Sequence, residues 1–127
     1  IVEPGRYIPG NAGVIQSEVV LISRKSPEER KRWVYLDIGI FGGLPEVLDE
    51  SIQYEIRTPR DGGKTGPVVI AGPTCDEVDV IYESADYELP IDLAIGDRVE
   101  ILSAGAYTAS YCSVGFNGFP ILKEYYI

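Results

Sequence analysis

Histidine and methionine are absent from these 127 residues, tryptophan occurs once and cysteine twice. Without histidine, a Ser-His-Asp relay, an HExxH zinc site and an imidazole general base cannot be built from this chain, so any chemistry has to run on other groups. Cys75 and Cys112 are too few for a disulfide framework, and without histidine they cannot complete a tetrahedral zinc site; no metal site is expected. Free thiols in a reducing compartment are the simplest reading. Lacking methionine, the chain does not start where translation starts, and it is expected to be a processed product or a fragment. No apolar run approaches the ~18 residues of a membrane span, and no basic segment followed by an apolar core marks a secretion signal. The expectation is a soluble, cytoplasmic protein.

Positive charge is also scarce. A net charge of -9 repels the phosphates of nucleic acid and of anionic lipid, so neither is expected as a partner. The charge is uneven: basic residues gather between Arg24 and Arg32, whereas Asp76 to Glu100 is rich in acids and holds the single base Arg98. An acidic half suits a cationic ligand, although a solvated, solubilising face is the commoner use of such acids.

What is present, 45% hydrophobic and 24% charged residues, fits one compact domain. Short β-rich runs alternate with Gly/Pro punctuation every ~8 to 12 residues, the rhythm of an all-β, antiparallel sandwich or barrel with a short helical turn or two. Strands are predicted over Val14 to Ser23, Trp33 to Ile38, Ser51 to Thr58, Pro67 to Ala71, Val78 to Tyr82 and Arg98 to Leu102. Pro67 to Ala71 is continuously apolar, as in a strand buried on both faces. The charged segment around Ser26-Pro27 reads as an exposed, mobile loop. Pro45 should start a helical turn over Leu44 to Asp49. Leu89-Pro90 and Gly96-Asp97 read as turns.

Three clusters carry chemistry. Glu3-Pro4-Gly5-Arg6-Tyr7 combines a carboxylate, a glycine whose backbone N–H is open to an anion, and an arginine that can hold phosphate bidentately. A surface turn with a Glu3–Arg6 ion pair is the plainer alternative. Gly72-Pro73-Thr74-Cys75-Asp76-Glu77-Val78-Asp79 follows the buried strand, presenting a thiol able to donate a proton beside a carboxylate able to bind an ammonium. Gly105-Ala106-Tyr107-Thr108 and Gly115-Phe116-Asn117-Gly118-Phe119 add a phenol, two rings and an amide among glycines. Taken singly, each is more often turn chemistry or packing.

Their order is more specific. Glu3 to Tyr7, then Gly39-Ile40-Phe41-Gly42-Gly43, then Ala71 to Asp79, then Gly96-Asp97, then Gly105 to Thr108, then Phe116 to Phe119 together resemble the pyridoxal-phosphate decarboxylases of basic amino acids. That family includes ornithine, lysine, diaminopimelate and biosynthetic arginine decarboxylases. The resemblance implies a β-domain of the type that follows the cofactor barrel in alanine racemase. Residues 1–12 would then be the last strand region of a missing N-terminal barrel domain.

By this resemblance the cofactor is pyridoxal 5'-phosphate: Glu3 would pair its pyridine nitrogen, and Gly5, Arg6 and the Tyr107 hydroxyl would hold its phosphate. Cys75 would reprotonate the α-carbon after decarboxylation, Asp76 would grip the distal ammonium of a basic amino acid, and Phe116 would line the pocket. These residues would serve the neighbouring subunit of a homodimer with shared active sites. A second substrate-binding acid would be Asp49 or Glu50. Cys-Asp in place of the Cys-Glu of diaminopimelate enzymes favours ornithine or lysine as substrate, giving putrescine or cadaverine in polyamine biosynthesis. The lysine that forms a Schiff base with the cofactor matches none of Lys25, Lys31, Lys64 and Lys123, so the chain alone should be inactive. The competing readings are a catalytically silent decarboxylase-like binding or regulatory domain, and a diaminopimelate decarboxylase.

Overall fold

The computed structural model describes all 127 residues. Seven strands form one curled sheet: β1 (Ile15–Ser23), β2 (Arg32–Leu36), β3 (Ile56–Arg57), β4 (Thr65–Ala71), β5 (Val80–Ile81), β6 (Glu88–Pro90) and β7 (Arg98–Ile101). They run in the order β3-β7-β1-β2-β4-β5, with β6 pairing beside β4. Five 3-10 turns complete the regular structure, so the expectation of an all-β chain with short helical turns holds.

In β1, Ile15, Ser17 and Val19 face inward with period two, and a bulge between Val19 and Leu21 bends the strand as it pairs with β2. Val68, Val69, Ile70 and Ala71 of β4 are all buried, as their unbroken apolar run requires. Eighteen buried side chains from β1, β2, β4, β5, β6 and β7 and the intervening loops merge into one core. The loop from Arg24 to Glu28 is exposed.

Three local expectations are corrected. The ladder is not wholly antiparallel, because β2 and β4 pair in parallel, Trp33 opposite Val69 and Tyr35 opposite Ala71. Residues 37–64 connect them by a long crossover, which the turn rhythm does not distinguish from a series of hairpins. Leu89-Pro90 lies in a strand rather than a turn: β6 pairs antiparallel with the start of β4, and Pro90 ends it at the sheet margin, where its missing N–H costs nothing. Finally, only Ile56–Arg57 of the Ser51 to Thr58 run joins a ladder. The remainder is held by two phenols, one buried and one half-buried. The Tyr82 hydroxyl accepts from the Tyr54 N–H (2.7 Å) and donates to the Ile52 carbonyl (3.1 Å). The Tyr87 hydroxyl accepts from the Ile56 N–H (3.1 Å) and donates to the Tyr54 carbonyl (2.7 Å).

Candidate functional site

The N-terminal segment folds as two 3-10 turns, Gly5–Tyr7 and Gly10–Ala12, and contains no strand. It docks on the chain after β7: the Gly105 N–H donates to the Gly10 carbonyl (3.0 Å) and the Ala104 N–H to the Gly13 carbonyl (2.8 Å). A Cβ at Gly105 would collide with the Pro9 carbonyl, so glycine is required by the closeness of the two backbones.

This docking brings Gly5, Arg6 and Tyr107 together across a hundred residues of sequence. The Arg6 guanidinium lies 5.5 Å from the centre of the Tyr107 ring. Gly5 has a left-handed backbone (φ 48°), and a Cβ there would stand 3.8 Å from the Tyr107 hydroxyl. A glycine backbone, a guanidinium and a phenol thus lie side by side, groups that together suit a phosphate. The residues present fit the phosphate end of pyridoxal phosphate. Glu3 lies in the exposed stretch before the turn and makes no hydrogen bond or ion pair. The alternative Glu3–Arg6 pair does not form: Arg6 donates from Nη2 to Glu46 instead. Glu46 escaped sequence reasoning because it sits forty positions away in a 3-10 turn with no motif of its own.

The second cluster is built on the turn after β4. Cys75 is exposed, with a left-handed backbone (φ 61°), and its thiol makes one long hydrogen bond, to the Pro73 carbonyl at 3.9 Å. Asp76 is half-buried; its Oδ1 accepts the Val78 N–H at 2.9 Å, which fixes the carboxylate on the residue next to the thiol. Asn117 donates from Nδ2 to the Thr74 carbonyl (3.0 Å). Phe116, next to it, stacks on Phe41 with ring centres 4.0 Å apart. Cys75, Asp76 and Phe116 therefore belong to one constellation. A cavity of about 240 Å³ opens beside it, walled by Phe41, Pro73, Thr74, Phe116 and the chain near Leu122.

Asp49 and Glu50 sit at a kink of the 3-10 turn Pro45–Glu50, both with left-handed backbones (φ 55° and 56°). Glu50 is engaged, its Oε1 accepting the Ser84 N–H at 2.6 Å; Asp49 is exposed without a partner. No hydrogen bond or ion pair ties either acid to the Cys75 turn or the Arg6 cluster.

Residues 7–105 match the pyridoxal-dependent decarboxylase C-terminal sheet domain. The chain belongs to that family. Among its relatives, the lysine/ornithine decarboxylase of Selenomonas ruminantium is 37% identical over 92% of this chain and 28% of its own length. The diaminopimelate decarboxylase of Helicobacter pylori is 33% identical over 98% of this chain and 29% of its own. The solved lysine/ornithine decarboxylase of Vibrio vulnificus, complexed with cadaverine, superposes with a TM-score of 0.76 at 36% identity, over 92% of this chain and 30% of that one. The chain thus spans under a third of the length of these decarboxylases. The curled sheet is their C-terminal domain, and the cofactor of the family is pyridoxal phosphate.

Proposed function

We propose that this sheet domain is the substrate-facing part of a decarboxylase that converts ornithine or lysine to putrescine or cadaverine and carbon dioxide. It would act beside an N-terminal barrel domain that supplies the cofactor lysine, within a homodimer whose sites are shared. The observation that carries the reading is the pair Cys75–Asp76: an exposed thiol and a fixed carboxylate on adjacent residues of one tightly bound turn. Pyridoxal phosphate, when bound, supplies an electron sink for the charge left by departing carbon dioxide.

The chain's own groups supply the rest. The Gly5 N–H, the Arg6 guanidinium and the Tyr107 hydroxyl hold the phosphate, and Glu3 keeps the pyridine nitrogen protonated. The Cys75 Sγ–H delivers a proton to the α-carbon, while the Asp76 carboxylate pairs with the distal ammonium. That pairing rewards a single cationic end, whereas the zwitterionic end of diaminopimelate would also want a basic partner. Diaminopimelate remains the second reading, because relatives of comparable identity act under that name.

Two variants of the full-length enzyme test the assignment. Cys75→Ala should retain cofactor absorbance but lower kcat by on the order of a hundredfold or misdirect the proton, the range expected when a positioned proton donor is removed. Asp76→Asn should raise KM for ornithine and lysine alike. Unchanged kcat in the first or unchanged KM in the second removes that residue from its role.

A further inference from the structure

Building on that reading of Cys75 and Asp76, we infer that the buried carboxylate of Asp79 is a positioning residue that holds both in register with the wall of the pocket. Asp79 is 2% exposed and carries no ion pair. Its oxygens instead accept from two separate loops. Oδ1 takes the Ile40 N–H (2.8 Å), and Oδ2 takes the Thr74 N–H (3.2 Å) and the Thr74 hydroxyl (2.6 Å). A carboxylate withdrawn from water without a cation is costly unless its lone pairs are filled, so these donors and their loops are bound tightly to one another.

The surrounding sequence is shaped to admit this group. A Cβ on Gly39 or on Gly72 would overlap the Asp79 carboxylate, and neither glycine has a positive φ, so both are there for space rather than for backbone conformation. The result is a closed ring of contacts. Asp79 binds Thr74, whose carbonyl holds Asn117; the neighbouring Phe116 stacks on Phe41; and Ile40, next to Phe41, returns to Asp79. The Ser113 N–H donates to the Phe41 carbonyl (2.9 Å) and braces the same ring. Cys75 and Asp76 leave this ring directly from Thr74. Thiol, carboxylate and aromatic wall are therefore set by one buried side chain that touches none of the reacting atoms.

The test uses the full-length enzyme. In Asp79→Asn, one amide position meets the Thr74 N–H donor to donor, so the Thr74 side loosens while Oδ1 can still receive Ile40. Cofactor absorbance should persist, since the Arg6 cluster is untouched. Turnover should fall roughly tenfold, as expected for a sub-ångström misplacement of a reacting group, and the rate at which iodoacetamide alkylates Cys75 should change several-fold. Thr74→Ser, which keeps the hydroxyl, should stay close to the parent in both readouts. In a Cys75→Ala background the kcat loss from Asp79→Asn should largely vanish, because the effect passes through the thiol.

A lowered melting temperature with unchanged kcat and unchanged alkylation would reduce Asp79 to a structural residue and overturn the inference. So would losses that multiply fully with Cys75→Ala. If Asp79→Asn does not fold, Thr74→Val, which deletes the hydroxyl's bond to Asp79 together with its long contact from the Asp76 N–H (3.5 Å), decides in the same sense on the Cys75 readouts: smaller shifts in kcat and alkylation support positioning, and none contradicts it. If Cys75→Ala alone leaves kcat unaltered, the proton-donor reading fails, and the alkylation rates still decide whether Asp79 positions the turn.

Discussion

At Arg6 the guanidinium is shared between the Tyr107 ring and the Glu46 carboxylate, and only Nη2 is engaged, which leaves Nε and Nη1 to donate elsewhere. Removing a charged donor to a phosphate costs about 1.5–3 kcal/mol, so Arg6→Ala should weaken pyridoxal phosphate retention by on the order of ten- to a hundredfold. Titrating the cofactor back into the apo full-length variant, followed by absorbance, measures this; parental affinity would detach Arg6 from the phosphate. The grouping of Arg6, Gly5 and Tyr107 is legible only through the order of the motifs and the family they resemble, since each motif taken singly reads as a turn or packing. Glu46 and the spatial purpose of Gly39 and Gly72 are not legible. A glycine whose Cβ would strike a distant carboxylate reads, in sequence, like any turn glycine, and the partner of Arg6 is set by a fold that brings two loops together from forty residues apart.

Among the elements, the segment from Ile52 to Ile56 shows why strand periodicity overstates pairing. Its alternation is real, but Tyr82 and Tyr87, stacked with ring centres 4.7 Å apart, take the backbone groups that a neighbouring strand would otherwise satisfy. Burial pushes the Tyr87 phenol up to about 12 and the Tyr82 phenol higher still, so both remain protonated donors throughout the physiological range. Tyr82→Phe strands the Tyr54 N–H and the Ile52 carbonyl inside the protein. A loss of about 1–3 kcal/mol of stability should follow, visible as a lower unfolding midpoint; an unchanged midpoint would show that water replaces the hydroxyl at no cost.

The turn before β7 carries a pH signature. Arg60 donates from Nε and Nη2 to Asp97 (3.0 and 3.1 Å), and the Ala94 N–H adds a third bond, so the Asp97 carboxyl lies below its ordinary 3.8. A depressed folded value means that this stabilisation is complete above the ordinary carboxylate pKa and is lost as pH falls through the lower one. Asp97→Asn should therefore flatten the acid limb of the unfolding midpoint against pH. Parallel curves for parent and variant would assign the acid sensitivity to other groups. The buried run of β4, the strands β1 and β2 with the exposed loop between them, and the Pro45 turn are readable from pattern alone. The parallel β2–β4 pairing is not, because it depends on how residues 37–64 cross back rather than on any local signal.

For the molecule as a whole, missing histidine and scarce positive charge by themselves narrow the chemistry, and the six ordered motifs point to the family. The fold gathers those motifs into two groups, Gly5–Arg6–Tyr107 and Cys75–Asp76–Phe116, with no hydrogen bond or ion pair between them. Ornithine and lysine differ by one methylene, which separates substrates by only about 1–3 kcal/mol, so an acid at position 76 alone does not rank them. The most direct test of the proposed activity assays the full-length, cofactor-loaded enzyme in parallel on ornithine, lysine, arginine and diaminopimelate, following carbon dioxide release and the amine product. Putrescine or cadaverine should form from ornithine or lysine at the highest kcat/KM; preferred turnover of diaminopimelate or arginine, or no decarboxylation of any of the four, would contradict the assignment.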